Sequence, residues 1–147
     1  MTGENHHTSR GTSPSLPGRR RGQVGTYYRA LDRGDYDALA GILHEEFVHE
    51  RPDLTLSGAD RFVAFMREER PHPDTRHPIN AVFLRDEDDS TGAGGETDDA
   101  GGRKGAAAGD VVAQGRLLAA DGRELAAFLD VFAFEGDRIA NLRTYTH

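Results

Sequence analysis

Apolar positions recur along this chain with two periods, and the change of period marks its elements. Val24, Tyr27, Tyr28 and Leu31 fall at i, i+3, i+4 and i+7, the single stripe of an amphipathic helix. Gly34 suits the end of that helix and Asp35 the N-cap of the next. The second helix is predicted over about residues 36–44, with Tyr36, Leu39 and Leu43 on one side. A short strand follows at 47–51 and is stopped by Pro52. Ser57-Gly58-Ala59-Asp60 has a capping-box pattern. It opens a third helix that runs to about Arg70, turns Phe62, Val63 and Met66 inward, and ends at Pro71 and Pro73.

Beyond this point the elements read as strands, at 76–85, 110–120, 123–134 and 138–145. Asp121-Gly122 is a strong signal for a two-residue hairpin turn, and Gly136-Asp137 a weaker one. Helix, helix, strand, helix and four strands make an α+β chain, a curved antiparallel sheet with helices packed on one side.

One residue breaks the strand pattern. Asp130 sits in Phe128-Leu129-Asp130-Val131-Phe132-Ala133-Phe134, which is otherwise apolar on both faces. A carboxylate there is costly unless it is hydrogen-bonded, paired or protonated. Such groups often mark functional sites, and structural ion pairs leave the same signal. If Gly136-Asp137 is a plain two-residue turn, Arg143 lies directly opposite Asp130 and the two form a buried ion pair. A bulge near the turn shifts the register by one, makes Leu142 or Thr144 the neighbour and turns Arg143 away.

Composition narrows the classes. The chain has 147 residues, a formal net charge of −7 and no cysteine, so it reads as one domain without disulfides or thiolate metal sites. Residues 1–22 are polar and carry four arginines against one glutamate; they are expected to be a disordered tail, with Arg19-Arg20-Arg21 solvated. Residues 86–109 have seven acidic and two basic side chains and no aromatic or β-branched aliphatic residue; they are expected to be a disordered acidic loop inside a single domain over 23–147. With no basic stripe, nucleic-acid binding is disfavoured. No apolar run approaches the roughly 20 residues of a membrane span, and no secretory or twin-arginine signal is read, so the expected location is the cytoplasm. His44 and His49, and His72 and His77, lack helical spacing and a clear carboxylate partner, so no metal site is expected.

At the level of motifs, YYRALDRGDYDALAGILHEEFVHERPD, the capped helix, and FLDVFAFEGDRIANLRTYTH resemble the nuclear transport factor 2-like superfamily, most of all its SnoaL-like and ketosteroid isomerase-like branch. The resemblance covers nearly everything from Gly22 onward except the acidic loop. It implies a cone whose three N-terminal helices lie on the concave face of the sheet and enclose a mostly apolar pocket. It also implies a convex face that often makes a homodimer, which suits the two apolar faces of the Asp130 strand.

Ketosteroid isomerases use a general-base Asp and an oxyanion hole made of a Tyr and a protonated Asp. The resemblance places Tyr27 at the oxyanion tyrosine and Asp130 at the oxyanion aspartate. The position of the base is occupied by Arg51, which cannot abstract a proton, so steroid-type isomerisation is disfavoured. The expected site therefore has Asp130, Tyr27 and His49 as catalytic groups and Arg51 as an anion holder. His49 would work as acid or base near neutral pH, and Tyr28, Met66, Phe128, Phe132 and Leu142 would complete the ligand-binding wall. The expected ligand is a small hydrophobic or anionic organic molecule, and the expected chemistry is cofactor-free acid–base catalysis of isomerase, cyclase or dehydratase type. The competing readings are a non-catalytic ligand-sensing or dimerisation module whose pocket is filled by side chains, Tyr27 as plain core, and Arg51 paired with Glu50 or Asp53.

Overall fold

The computed structural model describes residues 15–70, 74–85 and 109–147. The disorder expected at 1–14 and over 86–108 lies outside the described residues.

Helix α1 spans Leu16–Arg33 and buries Val24, Tyr27, Tyr28, Ala30 and Leu31, the stripe read from the sequence. Its C-cap Gly34 is left-handed at φ 71°, a conformation glycine adopts without steric cost. The start is a correction: residues 16–22 are helical and not part of a tail. Ser15 caps the helix by accepting from the Gly18 N–H at 3.3 Å, and Pro17 occupies its first turn, where proline is tolerated. Long-range contacts also hold this polar segment. Arg20 donates to the Gly136 carbonyl at 2.8 Å, lies 3.6 Å from the Asp110 carboxylate and covers the Phe134 ring at 5.5 Å. Gln23 donates to the Asp137 carbonyl at 2.9 Å.

Helix α2 is the single turn and a half Tyr36–Gly41, capped by Asp35; it stops short of His44 because β1 already begins at Leu43 and runs to Glu50. A short strand β2, Thr55–Ser57, precedes α3, Ala59–Glu68. The expected capping box does not form. Ser57 pairs with Val48 in the sheet, and the N-cap is Gly58 at φ 97°, with no side-chain cap. Strands β3 (Ile79–Leu84), β4 (Val111–Leu118), β5 (Glu124–Glu135) and β6 (Arg138–Thr146) complete the chain.

The six strands form one curved sheet in the order β2-β1-β6-β5-β4-β3. Every neighbouring pair is antiparallel except β1 and β6, which run parallel. The α+β class therefore stands, with the sheet mixed at one junction. The register of β5 against β6 shifts between Ala133 and Phe134, so Asp130 pairs with Thr144 and Val131 with Arg143. The helices cover one face, where Phe47, Phe62, Phe132, Leu39 and Ile139 are fully buried. On the other face Val131 stands between Val112 and Arg143, and Phe83 pairs with Val112; Phe83 and Tyr145 are 55% and 47% exposed.

Candidate functional site

Asp130 lies on the helix-covered face and is 4% exposed. Tyr28 on α1 donates to Oδ2 at 2.5 Å, and Thr144 on β6 donates to Oδ1 at 2.6 Å. Arg143 is on the opposite face, 3.1 Å from Glu50, so the bulged register holds and Asp130 is not ion-paired with Arg143. Burial pushes the Asp130 carboxyl up from its ordinary range, and the hydrogen bonds from Thr144 and Tyr28 offset part of that rise. Burial, reinforced by the charge of Asp130, also raises both tyrosines well above the ordinary phenol range, so their hydroxyls stay protonated and can donate.

His49 extends this chain. Its Nε2 is 2.9 Å from Thr144 Oγ1. Thr144 has one hydroxyl hydrogen; when it donates that hydrogen to Asp130, it must accept from a protonated His49 Nε2. Nδ1 is then a bare acceptor, buried without a hydrogen-bond partner among the described residues. Burial, with the charge of Arg51 as the second cause, lowers the His49 pKa to about 3. His49 is therefore neutral at physiological pH, and its expected role as an acid or base near neutrality is corrected: desolvation of the imidazolium outweighs the attraction of Asp53.

Beside this chain is a cavity of about 190 Å³. Of the expected residues, it brings together Tyr27, Tyr28, His49, Arg51, Met66, Phe128 and Asp130. Phe132 and Leu142 do not reach it. Both are fully buried and are cross-strand partners in the core. The Phe132 ring packs edge-on against Tyr27 and Tyr28 at 5.4 and 6.0 Å, so the tyrosines form the wall and cover it. The hydroxyl of Tyr27 makes no hydrogen bond within the described residues, whereas that of Tyr28 is committed to Asp130. Arg51 binds Asp53 through Nε at 3.1 Å and Nη2 at 2.9 Å, and its guanidinium lies over Phe65 at 5.5 Å. Its charge at the cavity is therefore already partly neutralised.

The sequence reading missed Arg70, Thr75, His77, Thr146 and Leu31 on the cavity wall. Arg70 belongs to no apolar stripe; it reaches the wall by donating to the Leu31 carbonyl at 3.1 Å. His77 had been set aside for want of a carboxylate partner, and the structure supplies one. Asp32 on α1 accepts from the His77 backbone N–H at 3.1 Å and contacts its ring Nδ1 at 2.7 Å. The pair is separated by 45 positions in sequence, and no local pattern could have joined them. Gly115 makes the placement possible: a Cβ there would lie 2.5 Å from the Pro78 carbonyl and 2.9 Å from the Phe128 ring. Within the described residues, no group of three or more His, Asp or Glu side chains could hold a metal.

The model of the SnoaL-like domain matches residues 24–142. The chain belongs to the SnoaL-like family. No curated protein matches it. Among solved structures, an NTF2-like protein of unknown function from Burkholderia pseudomallei is 20% identical, with a TM-score of 0.62 over 88% of this chain and 91% of that one. A candidate ketosteroid isomerase from Kribbella flavida is 12% identical, with a TM-score of 0.64 over 88% and 78%. A candidate polyketide cyclase from Sinorhizobium meliloti is 13% identical, with a TM-score of 0.57 over 84% and 93%. At these identities the likeness is one of fold.

Within this SnoaL-like chain, the chemical resources of the cavity are a buried carboxyl, a spare tyrosine hydroxyl, a neutral buried imidazole and a second imidazole backed by a carboxylate. No described helix is long and apolar enough to cross a membrane.

Proposed function

We propose that this SnoaL-like chain binds a small organic molecule in the cavity beside Asp130 and moves a proton on it without a cofactor. The observation that carries this reading is the hydrogen-bonded chain Tyr28–Asp130–Thr144–His49 on the wall of a cavity that also holds the Tyr27 hydroxyl, which makes no hydrogen bond among the described residues. A buried carboxyl whose pKa is raised by desolvation is suited to exchanging a proton with a bound molecule. A phenol that stays protonated is suited to donating a hydrogen bond to oxygen as negative charge develops there. The volume sets the ligand class. At about 190 Å³ the cavity is below the roughly 300–1,000 Å³ of drug-sized sites and somewhat above the about 150 Å³ that accepts benzene. The ligand is one ring, or a chain of similar bulk, with a carbonyl or hydroxyl oxygen.

The test is a panel of six-membered-ring ketones and β-keto esters in D2O, followed by proton NMR for line broadening on binding and for hydrogen–deuterium exchange next to the carbonyl. Binding with exchange, lost in Asp130→Asn, supports the reading. Binding without exchange leaves a non-catalytic ligand-binding module. Absence of both sinks the proposal.

We also propose a cytoplasmic homodimer through the uncovered sheet face that carries Phe83, Val131 and Tyr145. The 16.0 kDa chain should then sediment at twice that mass, and a monomer would refute it.

A further inference from the structure

The His77 imidazole on the cavity wall has no part in the proton transfer described so far. It is held more firmly than a surface histidine. Asp32 grips it at two points, backbone N–H and ring Nδ1. The ring packs beside the stacked Tyr28 and Phe128, with its centroid 5.9 Å from each. Gly115 admits the Pro78 carbonyl next to it, and the Arg116 N–H donates to that carbonyl at 3.1 Å. With Nδ1–H given to a carboxylate, the neutral imidazole can only be the tautomer whose lone pair is on Nε2. Nε2 has no hydrogen-bond partner within the described residues, and His77 lines the same cavity as Asp130 and Tyr27.

We propose that His77 Nε2 is the base that takes a proton from the molecule in the cavity, with Asp32 as its positioning residue. This rests on the proton-transfer reading above and names the class of substrate: a compound with an acidic C–H next to a carbonyl. The proton passes from that carbon to Nε2. The C–H electron pair becomes the carbon–carbon double bond of an enolate, and the carbonyl pair moves onto oxygen, towards the Tyr27 hydroxyl. Return of the proton from Nε2 to carbon closes the cycle with no change of oxidation state. The charge gained by His77 is felt by Asp130, whose carboxyl it draws towards ionisation, so the two groups are arranged to exchange roles as base and acid.

Two measurements test this. Nitrogen-15 NMR of the histidine rings should show His77 in the Nδ1–H tautomer in the wild-type protein and a mixture in Asp32→Ala; the Nε2–H tautomer in the wild-type protein would overturn the assignment. On a ring ketone that the wild type exchanges, His77→Gln should slow deuterium exchange by about 10²–10⁴-fold while line broadening on binding persists. Asp32→Ala should give a smaller loss in exchange with unchanged binding. Circular dichroism melts confirm that each variant is folded. Exchange retained in a folded His77→Gln but lost in Asp130→Asn overturns the role of His77 and leaves the proton-transfer reading standing. A wild-type protein that binds the ketones and exchanges none of them overturns both.

Discussion

Thr144 stands opposite Asp130 across the β5–β6 ladder and donates its hydroxyl hydrogen to the Asp130 carboxyl at 2.6 Å. One extra residue in β6, Ala140, left unpaired between the partners of Ala133 and Phe134, decides this pairing. Without it Arg143 would occupy the place of Thr144, and the site would be a buried ion pair with no proton to exchange.

The consequences for stability separate the two arrangements. Asp130→Asn keeps one acceptor oxygen but sets its amide hydrogens against one of the two hydroxyls, Tyr28 or Thr144, that now donate. The expected cost is about 1–3 kcal/mol, the range for a buried polar group left mispaired. Arg143→Ala removes a partly exposed pair with Glu50 and a contact with Tyr145 and should cost less than about 1 kcal/mol. Urea melts of the two variants check this; a loss of about 3 kcal/mol or more in Arg143→Ala would mean that Arg143 compensates a buried charge after all.

The pH dependence of stability has a definite sign at His49. Its folded pKa of about 3 lies below the ordinary 6.5, so between these values the unfolded chain binds a proton that the folded chain refuses. The contribution of His49 is therefore fully present above pH 6.5 and falls as pH drops towards 3, by as much as about 5 kcal/mol in all. Asp130 acts the other way. Its raised pKa means that its contribution declines as pH rises from the ordinary carboxyl range through the folded value. Urea midpoints at pH 4.5 and 7 should differ less in His49→Gln than in the wild type; an unchanged difference would show that His49 is solvated.

At Gly115, alanine should be destabilising by about 1–3 kcal/mol, as overpacking usually is. The added Cβ would meet backbone, the Pro78 carbonyl, at 2.5 Å, and backbone cannot rotate away as a side chain can. The ring signals of His77 should shift in the same variant. A neutral substitution with unmoved His77 signals would mean that the segment 76–79 sits further from β4.

Arg20→Ala should lower stability by about 0.5–1.5 kcal/mol through the lost bond to the Gly136 carbonyl and the uncovered Phe134 ring. It should also speed amide exchange over residues 16–22 more than over 24–33. Uniform exchange along α1 would show that its first turns do not depend on that clamp.

Local pattern determined much of this protein. The stripe from Val24 to Leu31, the left-handed stop at Gly34, the strands of period two and the misplaced carboxyl at Asp130 are all visible within windows of about ten residues, because helical and strand periods are properties of neighbouring positions. Seven of the nine residues chosen for the site reach the cavity: the family resemblance pointed to Tyr27, Asp130 and Arg51, and periodicity added neighbours on the same strand and helix faces. Tertiary structure alone decided the rest. The register bulge chose Thr144 over Arg143, the parallel pairing of β1 with β6 brought His49 to Thr144, and the docking of α1 onto the β5–β6 turn made a helix of a polar tail. The same docking joined Asp32 to His77. Each of these depends on contacts between segments remote in the chain, whose free energy is set by packing and desolvation and not by the composition of either segment.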